Sequence, residues 1–302
     1  MFKSKNSMSR ALVRRETTAG YLFLLPSLFF FVTFVLYPMF LCLYTSFFDS
    51  NMGKNAVDVF VGLGNYKELF RDKLFLGALK NTVVIVVVAV PTVCAFSLWV
   101  ATAIYDMKPA LTSAFRCIFY LPVVTGSVAV TVVWKWMYNS RYGVFNYLFK
   151  SLGIIDQNIN WLGDARFALW CIILILFTTS VGQPIVLYVS ALGNVDHSLV
   201  EAAQVDGANR RQVFWKIKWA QIMPTTLYIL IITTINSFQC FALIQLLTSG
   251  GPTHSTDTIM YYIYYTAFKL YRYGYGNAMG VVLMIIIAVL SAVQFKLGQQ
   301  SD

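Results

Sequence analysis

Charged side chains are scarce in this sequence. They make up 12% of its 302 residues, against 58% hydrophobic, where a soluble domain carries about 25% charged residues. So few polar groups cannot cover the surface of a soluble fold of this length, and lipid is the natural solvent for the apolar excess. Cysteine is no more informative as staple or ligand. The five cysteines (Cys42, Cys94, Cys117, Cys171 and Cys240) fall in apolar stretches, are odd in number and form no C-x-x-C pair, so they read as small buried hydrophobes. Only two histidines occur, His197 and His254, without metal-type spacing. No G-x-x-x-x-G-K-[ST] run exists to cradle nucleotide phosphates. The short alternating strands of a membrane barrel are missing too, which leaves helices as the way to satisfy the backbone in lipid. The net charge of +10 is scattered over short polar connections with no Lys/Arg-dense module. That argues for membrane topology and against nucleic acid.

What is present is a set of long gaps between charges. Six windows carry none: 17–48, 81–105, 117–134, 167–195, 219–256 and 273–295, with 32, 25, 18, 29, 38 and 23 residues. A spanning helix needs about 20 apolar residues, so each window fits one span. The third is nearly minimal, and its flanks Arg116 and Lys135 can snorkel to the interface. The fifth ends in a breaker cluster, Thr248-Ser249-Gly250-Gly251-Pro252-Thr253-His254, which places its helix end near Leu247. The first is too long for a signal h-region and contains Pro26 and Pro38, so it reads as a retained helix.

Lys3, Lys5, Arg10, Arg14 and Arg15 precede the first span, and the next basic residue is Lys54. The first helix therefore enters from the cytoplasm. Alternation then places 106–116, 196–218 and the carboxyl terminus inside. The segments 49–80, 135–166 and 257–272 fall outside. The tally over all loops, 12 Lys/Arg inside and 11 outside, adds little to that.

The connection after the fourth span reads as a capped elbow. Ser198 and Glu201 have capping-box spacing, and Gly207 stands where a helix end requires positive φ. A second helical stretch from about Asn209 to Lys218 carries Arg210, Arg211, Lys216 and Lys218 and runs into the fifth span. Physics alone leaves two readings. One is an interfacial helix pair that merely joins two spans, its basic residues meeting lipid headgroups. The other is a docking element.

The run Glu201-Ala202-Ala203, with Asp206-Gly207-Ala208, Phe214 and Ile217, closely resembles the EAA loop of ABC importer permeases. Trp219-Ala220 stands where sugar permeases of that family usually have Leu-Pro, while Pro224 matches a second proline. Further parts resemble the carbohydrate importers of the maltose and glycerol-phosphate permease type. These are Phe60-Val61-Gly62-Leu63-Gly64-Asn65-Tyr66 leading to Asn81-Thr82; Pro122; Gly143-Val144-Phe145-Asn146; and Leu247 to Pro252 with Thr256, Tyr264 and Phe268. The likeness runs from about Tyr21 to Leu297.

The resemblance implies an all-α integral membrane protein with six transmembrane helices, of the type I ABC importer permease fold. It implies a cytoplasmic segment at 1–20, a permease domain at 21–297 with a coupling loop at 196–218, and a tail at 298–302. The coupling residues would be Ser198, Glu201, Ala202, Ala203, Asp206, Gly207 and Ala208. The chain would bind no cofactor of its own, with ATP and Mg consumed by partner subunits. Those partners would be a second homologous permease, two cytoplasmic ATPase subunits and an extracytoplasmic solute-binding protein, assembled in the cell membrane with both termini cytoplasmic.

The fourth and fifth helices would line the pathway, with Phe177, Ser180, Gln183, Thr233, Asn236, Ser237 and Gln239 as candidates. Uncharged amides and hydroxyls suit a neutral polyol. Ser and Thr can equally join helices or bond to their own backbone. No span as drawn contains an ionisable residue, which disfavours an ion-coupled transporter and a membrane hydrolase. An anionic cargo such as glycerol phosphate requires Arg or Lys on the pathway, and these helices offer none. The partner permease could supply it, so that cargo stays open.

Overall fold

A computed structural model describes residues 3–50 and 58–299, with the side chains of 12–50 and 58–298. Lys54, residues 300–302 of the tail, and the side chains of Lys3, Lys5 and Arg10 lie outside this description. Among the described residues, five helical runs are long and apolar enough to cross a bilayer: Leu12–Thr45, Lys73–Ile104, Ala168–Gly193, Arg210–Leu247 and Tyr273–Gly298.

The first run comprises α1 (Lys3–Phe31), a π-type stretch (Val32–Leu36) and α2 (Tyr37–Thr45). Pro38 lies at the start of α2. A proline inside a helix lacks an N–H and clashes with the preceding turn, and the wider turn just upstream is the local relief. The most apolar window of this run is 0% buried. Only α2 packs, against α15 (Tyr273–Gln299), where Asn277 Nδ2 donates to Thr45 Oγ1 at 2.7 Å.

A two-stranded ribbon, β1 (Phe48–Asp49) antiparallel to β2 (Val59–Phe60), and short α3 (Gly64–Leu69) lead into α4 (Lys73–Ile104). Helix α4 is the axis of the bundle. Phe75, Ala78, Thr82, Ile85, Ala89, Val93, Ser97, Val100 and Ile104 are buried along it, and their spacing of three and four residues makes one stripe. Off that stripe Val87 and Trp99 are exposed. The Asp72 carboxylate caps α4 by accepting from Leu74 N–H. It also accepts from Tyr262 and Tyr275 hydroxyls at 2.7 and 2.8 Å, tying three distant segments together.

The third predicted span, 117–134, is not one continuous helix: α5 (Pro109–Val124) and α6 (Ser127–Met137) meet there at a 95° bend. Thr125 and Gly126 are both extended, with ψ of 125° and 143°, and Pro122 has already removed one backbone donor from the last turn of α5. If this pair forms one span, it is a broken sixth one. Helix α7 (Val144–Ser151) follows, held by Asn146. Its amide donates to Ser140 and Ile159 carbonyls and accepts from Ile159 N–H and the Trp161 indole.

The fourth span is α8 (Ala168–Ser180) running through Val181 into α9 (Gly182–Gly193). After the elbow helices α10 (His197–Val205) and α11 (Arg210–Val213), a π-type stretch (Phe214–Lys218) continues into α12 (Trp219–Phe238) and, past a break, α13 (Ala242–Leu247). The helical backbone passes Trp219-Ala220 without interruption. The predicted breaker forms as expected: Ser249, Gly250, Thr253 and His254 all have positive φ. The chain returns through α14 (Ile259–Tyr264) and a π-type stretch (Tyr265–Lys269) to α15.

Candidate functional site

The elbow is built by its caps, though not by the predicted box. Asp196, not Ser198, caps α10: its carboxylate accepts from Ser198 N–H at 2.9 Å and from the Ser198 hydroxyl at 2.8 Å. These bonds hold the Asp196 carboxyl below its ordinary range. Ser198 thus spends its hydroxyl on Asp196 and lies inside the helix. The reciprocal box forms one helix later, between Asn209 and Gln212, with both bonds at 2.9 Å.

Gly207 meets its expectation with φ of +85°. Gly207 N–H donates to Gln204 O at 3.1 Å and Ala208 N–H to Ala203 O at 2.9 Å, the paired bonds that close a helix on a left-handed residue. The turn leaves a hollow of about 330 Å³ lined by Ala203, Asp206, Gly207, Ala208, Gln212, Val213, Lys216 and Ile217. Four of the seven predicted coupling residues meet there. Ser198, Glu201 and Ala202 stand outside it on the exposed surface of α10, beside Val205, an apolar side chain 88% exposed.

Polar contacts join the apolar packing of Val200 in binding the elbow to the bundle. Asp196 N–H donates to Gln221 Oε1 on α12, and Lys218 Nζ contacts the Tyr105 hydroxyl at the end of α4. Nearby, burial raises the Asp106 carboxyl, partly offset by Arg210 and His197.

Between α5, α9 and α12 lies a cavity of about 150 Å³. Thr179, Ser180, Gln183, Tyr228, Thr233 and Asn236 give it polar walls, and Val123, Pro184, Leu187, Ile229 and Ile232 complete it. The structure thus brings together Ser180, Gln183, Thr233 and Asn236. It does not bring Phe177, Ser237 or Gln239. Phe177 packs edge-on against Phe96 at 5.1 Å. Ser237 is buried at 2% exposure. Gln239 is exposed at the end of α12. Thr178 and Thr179 bond back to Ile175 O, which is the local alternative open to any helical threonine.

A second hollow of about 450 Å³ adjoins the first, with Gln183 and Leu187 lining both. Its other walls are Arg116, Cys117, Tyr120 and Val186. The sequence reading missed Arg116, Tyr120 and Tyr228. Arg116 had only the signal of a window edge, which suggests a snorkelling flank. Because α5 starts at Pro109, Arg116 instead lies two turns inside a helix that faces the cavity. No Arg or Lys of the fourth or fifth helix lines either cavity, and the cation there comes from α5.

Residues 59–299 match the family described as "Binding-protein-dependent transport system inner membrane component". The probable ABC transporter permease protein YesP of Bacillus subtilis is 33% identical, covering 94% of this chain and 91% of its own length. The lactose transport system permease protein LacF of Rhizobium radiobacter is also 33% identical, over 94% and 95%. In fold, the chain resembles a bacterial ABC transporter involved in the import of the acidic polysaccharide alginate, with a TM-score of 0.81 at 23% identity, covering 97% of this chain and 99% of that one. The match over most of the chain, on a bundle of apolar spans with a capped elbow, means that this protein belongs to the binding-protein-dependent transport system inner membrane components and is a transmembrane permease subunit of an ABC importer.

Proposed function

We propose that this permease forms half of the path for a sugar or oligosaccharide, and that its elbow receives the motion of ATPase subunits that hydrolyse ATP with Mg. The observation that carries the reading is Asn236. It lies within the apolar run Arg210–Leu247, lines the cavity, and is nevertheless exposed. An amide with four hydrogen-bonding valences finds no partner in lipid. Its surroundings must therefore be a polar passage closed by a second subunit. The side chains of Gln183, Ser180 and Thr233 line the same cavity and make no hydrogen bond to another described residue. Groups so uncommitted can exchange bonds with sugar hydroxyls. The relative LacF is named for lactose transport, which supports a saccharide cargo.

The first span, with its most apolar window unburied, adds a large surface for the second permease. The hollow beside Gly207 and the exposed face of α10 would seat the ATPase, placing the elbow and both termini in the cytoplasm. An extracytoplasmic binding protein would then deliver the sugar to the opposite end. ATP-driven closure of the ATPase pair moves the elbows and biases the spans between two states, as coupling requires.

Reconstitution of the assembled importer in proteoliposomes tests this. Sugar uptake should require ATP and the ATPase subunits. Glu201→Lys should lower co-purification of the ATPase, while Gln183→Ala and Asn236→Ala should lower uptake with assembly retained. Uptake that persists without the ATPase subunits would overturn the reading.

A further inference from the structure

Arg116 is the one charged side chain on either pathway cavity. No described residue makes a hydrogen bond or ion pair with its side chain. The Nε atom is buried without a hydrogen-bond acceptor, and none of the three ion pairs among the described residues includes it. A guanidinium stays charged under all ordinary conditions, and a shielded charge without a counter-ion is costly. The same side chain opens onto a hollow of about 450 Å³, within the range of small-molecule sites.

The placement is regular. Arg116, Tyr120 and Val123 recur at four and three residues along α5, so they share one face. Opposite them, Gln183 and Leu187 lie one turn apart on α9 and line both cavities. The charged hollow and the amide-lined cavity are therefore consecutive parts of one groove between α5 and α9. We propose that this groove selects acidic saccharides: the Arg116 guanidinium grips the carboxylate of a uronate unit, while Gln183 and Asn236 bond hydroxyls of the sugar further along.

A carboxylate fits better than a phosphate ester. One guanidinium pairs two parallel N–H donors with the two oxygens of a carboxylate and cancels its single charge. A phosphate monoester carries about −1.5 to −2 at neutral pH, and no second Lys or Arg lines either cavity to balance the excess. Tyr120 adds a ring face for stacking and a hydroxyl.

This inference rests on the pathway reading above, and its test separates the two. The complete importer, with its partner permease, ATPase and binding protein, is reconstituted as wild type, Arg116→Gln and Arg116→Lys. ATP-dependent uptake is measured for trigalacturonate, trimannuronate and triglucuronate, for maltotriose as a neutral trisaccharide, and for glycerol 3-phosphate. Co-purification of the partner permease is scored alongside.

The expected result is uptake of at least one uronate trisaccharide. Arg116→Gln should raise its KM about tenfold or more, as expected for loss of a charge-assisted bond, with partial recovery in Arg116→Lys and an intact complex. Uptake of maltotriose but of no uronate would overturn the acidic assignment while leaving the pathway reading standing. An equal loss for acidic and neutral sugars, or loss of the partner permease in Arg116→Gln, would make Arg116 a structural or intersubunit ion-pair residue and overturn the proposal. Arg116-dependent uptake of glycerol 3-phosphate alone would overturn the carboxylate. No ATP-dependent uptake of any probe would sink the pathway reading and this inference together.

Discussion

Replacing Gly182 with alanine should wedge α5 away from α9. An ideal Cβ at Gly182 would sit 2.3 Å from the Phe119 carbonyl oxygen and 2.9 Å from Val123 Cγ2. Ordinary contact lies near 3.5 Å, so the carbonyl must retreat by about 1 Å. That atom is backbone inside α5, and a packed interior transmits such a shift instead of absorbing it. Overpacking of this kind costs about 1–3 kcal/mol. The better helix propensity of alanine returns at most about 1 kcal/mol.

The net expectation is a loss of roughly 1–2 kcal/mol and a misfitted groove, because Val123 and Gln183 line the cavity beside the contact. Gly193→Ala on the same helix is the control, since nothing lies within 4 Å of the Cβ it would add. Thermal unfolding of the purified protein in detergent, paired with sugar uptake by the reconstituted importer, reads both effects. Gly182→Ala should melt several degrees lower and transport more slowly, and Gly193→Ala should match wild type. Equal melting temperatures for the two variants would refute the argument that the α5–α9 contact requires a residue without Cβ.

Two further predictions concern the end of the bundle opposite the elbow. Gly250→Ala should disorder the 248–258 turn. Gly250 has φ of +84°, and a Cβ there would lie 1.9 Å from Asp257 Oδ1, displacing the carboxylate from its 2.7 Å bond to His254. Backbone strain alone costs about 1–2 kcal/mol, and faster proteolysis or hydrogen exchange of this segment is the readout. Asp72 should make stability depend on pH at the acid end. Burial pushes its carboxyl up, but bonds from Tyr262, Tyr275, Leu74 and Phe75 outweigh this and leave it below its ordinary value of 3.8. A carboxyl lowered by folding stabilises above the unfolded value and loses that contribution as pH falls through the folded one. Melting temperature should therefore decline below about pH 4, and less so in the Tyr262→Phe, Tyr275→Phe double variant. An unchanged slope in that variant would show that the two hydroxyls do not hold the charge.

Much of this was legible in the sequence, because each legible feature is a local property of its segment. A charge-free window reports how readily that stretch leaves water, whatever packs beside it, and five of the six windows hold helical runs long enough to cross a bilayer. Positive φ at Gly207 follows from a glycine placed at a helix end, and the 248–254 breaker from its composition. Gln183 and Asn236 stood out because an amide in an apolar helix needs an explanation wherever it points.

Other features depend on what stands across a gap, and those only the tertiary structure decided. Composition could not place the 95° bend after Val124, because the third window is apolar on both sides of it. Phe177 was drawn into the core by Phe96, a neighbour remote in sequence. Arg116 read as a flank while its span was a charge-free segment, and became a cavity wall once α5 was laid against α9. The sequence by itself determined that this chain crosses a membrane and where its polar groups are few. The folded bundle decided which of those groups meet, since a helix's apolarity belongs to the helix, while the groove it lines belongs to the pair.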